Sequence, residues 1–224
     1  MTPVTQQAHE LLTANVRGHL AIDATAGNGH DTEFLAHLVG ATGFVWAFDI
    51  QAVALQETAS RLRERSISVE LRLRSANSAL PTAPHDLAEV SRSRVIGLEA
   101  SHAEMKDHLP VTCLGQISAI MFNLGYLPGA DKSCITTAAS TLIALDAAID
   151  YLAPGGVLTV VVYPGHPGGR EEAVAVREWF TRQASVGTGE LLSEITPSTN
   201  PGPQLFALRR SGTGIGQLLC LVKT

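Results

Sequence analysis

Short apolar runs of strand length alternate with segments of helical periodicity from residue 19 to residue 209, and few architectures accommodate that pattern. Residues 44–50, 95–98, 117–122 and 157–163 read as buried strands, the last being the most β-branched run and the expected central strand. Residues 19–23 form a shorter run that enters a glycine-rich turn. Residues 31–39 place Phe34, Leu35, Leu38 and Val39 on one helical face, with Gly40 where a C-terminal cap belongs. Residues 51–65, 135–152 and 171–184 also carry helical spacing, and Pro154-Gly155-Gly156 is expected to stop the second of these. A short helix is expected over 102–109. Residues 69–74 alternate like an exposed strand or extend the helix before them, and 75–84 read as loop. Residues 190–195 and 205–209 read as strands around a Pro-rich turn, and 217–222 as a last edge strand. This order predicts an α/β fold, a mostly parallel sheet with helices on both faces. Ligands of such sheets sit beyond the carboxyl ends of the strands, at the point where the strand order reverses. The loops after Ile22, Phe48, Leu98, Phe122 and Val162 are therefore expected to open on one site.

Composition narrows the class. A chain of 224 residues with 17% charged residues predicts one folded domain over 1–224. The longest apolar run, about 157–163, is far below the roughly 20 residues of a membrane span, so no membrane partner is expected. The first residues show no basic segment followed by an apolar one, which predicts a cytoplasmic protein. Cys113, Cys134 and Cys220 form no Cys-x-x-Cys pair, and the eight histidines form no His-x-x-x-His pair, so neither a disulfide framework nor a metal is expected. The net charge of −5 argues against broad binding to nucleic acid. Residues 61–94, however, carry seven arginines against four carboxylates, a local charge of +3. They form either a solvated helix and loop or a docking patch for a polyanion.

The segment Asp23-Ala24-Thr25-Ala26-Gly27-Asn28-Gly29-His30-Asp31 follows the first strand. Gly27 and Gly29 let the backbone turn sharply and approach a ligand. Asp49, at the end of the second strand, can accept both ribose hydroxyls of an adenosine ligand. A dinucleotide would need a third glycine where Thr32 stands, and Asp31 and Glu33 would repel its pyrophosphate. A ligand carrying a sulfonium and an ammonium would not be repelled, which favours S-adenosylmethionine over NAD.

Asn123-Leu124-Gly125-Tyr126 looks like the Asn/Asp-Pro-Pro-Tyr element of amino-directed methyltransferases, with Leu124 and Gly125 replacing the prolines. The Asn123 carbonyl and a neighbouring backbone carbonyl can accept the N–H bonds of an amine and so aim its lone pair. Tyr126 offers an aromatic face for a base or cation. A plain strand-end turn is the structural alternative.

At this point the whole chain resembles a known family. Residues 23–32, Ala-Phe-Asp-Ile-Gln (47–51), Ser-His-Ala-Glu-Met (101–105), 122–133 and Tyr-Pro-Gly-His-Pro-Gly-Gly (163–169) are together similar to the bacterial family labelled putative rRNA methylase. Its characterised members methylate the amino group of 5-aminomethyl-2-thiouridine at the tRNA wobble position, using S-adenosylmethionine. The resemblance implies a Rossmann-like methyltransferase fold with seven strands, the last forming an antiparallel hairpin. It implies that 27–31, Asp49, Gln51, Ser101 and His102 line the cofactor and that Asn123 to Tyr126 line the acceptor amine. Together with the turn and strand-end positions, the candidate cofactor residues are Asp23, Ala26, Gly27, Asn28, Gly29, Asp31, Thr32, Asp49, Ile50, Gln51, Ser101 and His102. Against the family pattern, 75–93 reads as an insertion, Ala130 replaces a usual glycine, and 211–224 extends the C-terminus.

Three further residues are candidates for substrate binding. Tyr163 and His166 sit in a glycine-rich lip after the expected central strand, and Lys132 lies just past the acceptor turn. His166 is either a substrate contact, a proton acceptor or a helix cap. Lys132 either meets a phosphate or is solvated. The partner expected is the tRNA anticodon arm, with a homodimer left open. The rival readings are a methyltransferase of rRNA or of a small amine, a nucleotide-binding oxidoreductase and a non-catalytic RNA-binding remnant.

Overall fold

The computed structural model describes residues 3–74, 93–125, 135–195 and 202–212. Its strands are β1 (Leu20–Asp23), β2 (Phe44–Asp49), β3 (Val69–Arg72), β4 (Val95–Glu99), β5 (Ile117–Asn123), β6 (Leu152–Val162), β7 (Gly189–Ile195) and β8 (Gln204–Arg210). They form one sheet in the order β3-β4-β2-β1-β5-β6-β8-β7. Strands β1 to β6 pair in parallel, while β8 runs antiparallel to both β6 and β7. The order reverses between β1 and β5, which opens a crevice at their carboxyl ends.

The helices are α1 (Val4–Asn15), α2 (His30–Leu38), α3 (Ala52–Glu64), α4 (Met105–His108), α5 (Ala138–Tyr151) and α6 (Gly169–Ser185). Side chains on the strands alternate between two cores, as a sheet covered on both faces requires. Ile22, Trp46, Phe48, Ile96, Phe122, Val160 and Phe206 pack with residues of α4, α5 and α6. Ala21, Val45, Ala47, Val95, Met121, Val161 and Leu205 pack with residues of α1, α2 and α3. Among the described residues no helix is long and apolar enough to cross a membrane.

The sheet departs from expectation in its strand count, eight rather than seven. One of the eight is β3, an edge strand whose Val69 lies opposite Val95 of β4. The helical alternative for this segment fails at Ser66, whose φ of 59° turns the chain out of α3. Helix α5 starts at Ala138 rather than at 135, because the Thr137 hydroxyl caps it by accepting from Ser140 N. Strand β6 starts at Leu152, so Pro154-Gly155-Gly156 lie within it, beside a register shift opposite Ile117 and Ala119. Helix α1 was not legible in the sequence, since only Ala8 and Leu12 of its residues are buried. The edge strand expected at 217–222 and residues 75–92 of the expected insertion lie outside the described residues.

The arginines of 61–94 are largely committed within the protein. Arg61 donates to the Asn28 carbonyl (2.7 Å), Arg65 to Glu33 (2.9 Å), Arg72 to Glu70 (2.9 Å) and Arg94 to the Gly40 carbonyl (2.7 Å). Arg74 donates to the Glu99 carbonyl and pairs with Glu104. Arg92, the sixth of the seven arginines in chain order, lies outside the described residues.

Candidate active site

The crevice at the strand ends is a cavity of about 550 Å³. Its floor and walls come from the loops the sequence singled out. The β1–α2 loop contributes Ala26, Gly27, Asn28 and Asp31, and the end of β2 contributes Asp49, Ile50 and Gln51. Ser101 and His102 follow β4; Asn123, Leu124 and Gly125 end or follow β5; Tyr163 and His166 follow β6. Asp23, Gly29 and Thr32 do not line the cavity but support its wall from behind. Tyr126 and Lys132 lie outside the described residues.

The β1–α2 elbow is built on two left-handed glycines, Gly27 (φ 52°) and Gly29 (φ 78°). A Cβ on Gly29 would stand 2.8 Å from Thr58 Cα, so only glycine lets the loop settle on α3. Thr58 Oγ1 donates to the Gly27 carbonyl (3.0 Å), and Arg61 holds the next carbonyl. The elbow is thus fastened on the side away from the cavity, which leaves its inner face free for a ligand.

Asp49 accepts from Gly27 N (2.9 Å) and Gln51 N (2.8 Å), one at each carboxylate oxygen. These bonds use part of its acceptor capacity and aim the rest into the cavity. Burial raises its pKa, and the backbone bonds from Gln51, Gly27 and Ile50 oppose that. Beneath it, fully buried Asp23 accepts from Thr32 Oγ1 (2.6 Å) and Thr25 N (3.1 Å). Its pKa is pushed up to about 7 by burial first, then by the charges of Asp31 and Asp49.

Across the crevice, Asn123 N donates to Thr25 Oγ1 (2.7 Å), so the two strand-end loops are tied together. The Asn123 carboxamide donates through Nδ2 to Asp31 Oδ2 (3.2 Å). Gly125 has φ 141°, which proline cannot adopt; the replacement of the second proline is therefore built into the backbone. Gly125 N donates to Thr136 Oγ1 (3.0 Å), Thr136 N donates to the Gly125 carbonyl (3.1 Å), and the Thr136 hydroxyl donates to buried Glu172 (2.9 Å). Thr136 and Glu172 were missed by sequence reasoning. Thr25 lay inside a quoted motif but drew no separate signal.

Ser101 closes a capping box with Glu104 and so orients the turn that carries His102. Burial pushes the His102 pKa down to about 4, against a backbone hydrogen bond with Ala24. The ring is therefore neutral at pH 7, and among the described residues its buried Nε2 has no hydrogen-bond partner. Tyr163 is exposed at the rim; desolvation and then the charge of Asp31 raise its pKa. His166 Nδ1 lies 2.9 Å from the Pro167 carbonyl.

The lining carries Asp31 and Asp49 and, among the described residues, no lysine or arginine. Glu33 does not share in this field, because Arg65 (2.9 Å) and Arg61 (3.4 Å) hold it. The negative charge facing the cavity thus comes from Asp31 and Asp49, and Glu33, expected to join Asp31 in it, is instead paired outside the lining.

An eight-stranded doubly wound sheet with an antiparallel C-terminal hairpin, and a glycine elbow and strand-end Asp and Asn residues around one acidic cavity, define the Rossmann-like methyltransferase fold. The chain belongs to the putative rRNA methylase family, whose model matches residues 45–208. It is 38% identical over 165 residues to an Arabidopsis thaliana protein described as tRNA (mnm(5)s(2)U34)-methyltransferase, chloroplastic, covering 71% of this chain and 52% of the relative. The chain thus spans about half the length of that curated relative. Among solved structures it resembles a putative rRNA-methylase from Clostridium thermocellum, with TM-score 0.75 and 30% identity over 94% of this chain and 98% of the other. It also resembles a putative methyltransferase from Streptococcus mutans in complex with SAH, with TM-score 0.69 and 28% identity over 94% and 99% of the two chains.

Proposed function

We propose that this protein is an S-adenosylmethionine-dependent N-methyltransferase that acts on the 5-aminomethyl group of wobble 2-thiouridine in tRNA. The observation that carries the reading is the opening of Asp49 and Asn123 on one acidic cavity. The residues present fit the cofactor. Asp49 keeps acceptor capacity for ribose hydroxyls, and the orphaned Nε2 of neutral His102 suits the polar edge of an adenine. Asp31 supplies negative charge for an ammonium or a sulfonium.

The bound cofactor supplies an electrophilic methyl group. The chain's own residues bind, aim and desolvate. Asn123 Oδ1, left free by the Nδ2 bond to Asp31, accepts an N–H of the acceptor amine and directs its lone pair. Asp49, Asp31 and His102 would hold the cofactor as its methyl group passes to the unprotonated amine and it leaves as a neutral thioether, and the proton lost by the nitrogen would pass to solvent. The aminomethyl group of a wobble base is accessible in a loop, so little unstacking is required. The curated relative's wobble-uridine activity supports this choice of acceptor.

The test is methyl transfer from labelled S-adenosylmethionine to tRNA that carries 5-aminomethyl-2-thiouridine, followed by mass spectrometry of the nucleosides. The expected product is the 5-methylaminomethyl nucleoside, with no transfer to tRNA lacking the amine. Methylation of ribosomal RNA alone would replace the substrate assignment. Binding of NAD without binding of S-adenosylhomocysteine would remove the methyltransferase reading.

A further inference from the structure

Helix α1 brings one side chain to the site. His9 Nε2 lies 2.7 Å from Asp31 Oδ1, and its ring stacks on Phe34 of α2 with centroids 3.8 Å apart and planes within 3°. The other oxygen of Asp31 accepts from Asn123 Nδ2. The three residues come from three elements on both sides of the point where the strand order reverses. His9 rides on α1, which packs over β6 and β8; Asp31 opens α2 after β1; Asn123 closes β5.

The chemistry of the chain is directional. A carboxylate oxygen only accepts hydrogen bonds, so whatever faces it must donate. Asn123 must then present its NH₂ to Asp31, which leaves its carbonyl oxygen to the cavity. Were the carboxamide turned over, two acceptors would meet and a donor would face the amine. Orientation of Asn123 therefore depends on Asp31 holding its place. Asp31 is itself held at its second oxygen by His9, whose ring is fixed in plane by Phe34. The side chain of Asp31 is only 9% exposed, so water does little to replace a lost partner.

We propose that His9 is a positioning residue for methyl transfer: through Asp31 it sets which end of the Asn123 carboxamide meets the acceptor amine. The inference rests on the amine-methyltransferase reading for its kinetic consequence, and its structural consequence stands apart from any substrate. Two variants separate the hydrogen bond from the packing. His9→Phe keeps a ring against Phe34 and removes the bond to Asp31. His9→Gln can place an amide nitrogen near the position of Nε2 and loses the stack.

The first readout is the side-chain amide signal of Asn123 in ¹⁵N–¹H spectra of the S-adenosylhomocysteine complex. In the wild type and in His9→Gln, one proton is expected at the downfield position of a bond to a carboxylate. In His9→Phe it is expected to move by several tenths of a ppm or more. An unmoved Asn123 signal in folded His9→Phe overturns the proposal whatever the substrate proves to be. The second readout is kinetic, on the aminomethyl tRNA. His9→Phe should lose about tenfold to a hundredfold in kcat, the scale of a misaimed reacting group, with S-adenosylhomocysteine affinity within about twofold. His9→Gln should restore kcat to within roughly threefold of wild type, because the bond and not the imidazole is what the chain needs. Equal kcat loss in both variants, or a parallel loss of cofactor affinity, would refute the positioning role. Wild-type protein inactive on that tRNA would count against the proposed function alone, since the spectral arm decides the His9 proposal without it.

Discussion

Asp49 and Asn123 occupy like places, each the last residue of a strand at the mouth of one cavity, yet their replacement should have different consequences. In the proposed function Asp49 meets the ribose of the cofactor, so Asp49→Asn would remove one acceptor and a charge from the bound state. We expect S-adenosylhomocysteine affinity to fall by about tenfold or more, the scale of one charge-assisted hydrogen bond. Asn123→Ala should leave that affinity within about twofold and lower kcat by roughly a hundredfold, since in the proposed function its carbonyl acts on the acceptor. Calorimetric titration beside single-turnover kinetics separates the two. If both variants lost affinity and kcat in the same proportion, the division of the cavity into a cofactor side and an acceptor side would be wrong.

Among the elements, the β1–α2 elbow is the most constrained. Its shape depends on Gly29, whose φ of 78° and 2.8 Å approach to Thr58 Cα leave no room for a side chain. Gly29→Ala should cost about 1–3 kcal/mol of stability, from backbone strain and from pushing the loop off α3. It should also weaken S-adenosylhomocysteine binding, because Gly27 N would no longer meet Asp49. Gly40→Ala is the control: it shares a φ of 77° but has no atom within 4 Å of its Cβ position. It should lower the melting temperature by less and leave binding unchanged. Equal effects of the two variants on binding would show that contact with α3 does not shape the site.

For the molecule as a whole, the raised pKa values of the carboxylates Asp23 and Asp49 make folding sensitive to pH. Asp23 has its pKa raised from 3.8 to about 7. Between those values the folded chain holds a proton that the unfolded chain has released, so this group's contribution to stability declines as pH rises across that window. Asp23→Asn keeps a neutral hydrogen-bonding group and removes the effect. Its melting temperature relative to wild type should therefore climb between about pH 4 and pH 7, and a difference that stays flat over this range would show that Asp23 is ionised throughout. Alternating apolar residues, helical spacing, the two elbow glycines and the strand-end Asp49 and Asn123 were legible because each is a local signal of period, turn geometry or position. Those signals determine a doubly wound sheet and where its ligand edge must lie. They also place Ser101, His102 and Tyr163 there, since each lies within three residues of a strand's carboxyl end. Local pattern did not decide whether residues 69–72 add an edge strand, which depends on the neighbour β4 offers. Nor did it decide that His9 reaches Asp31 or that buried Glu172 supports the acceptor turn through Thr136. Those contacts join side chains far apart in the chain, and only the packing of helices onto the finished sheet brings their polar atoms within bonding distance.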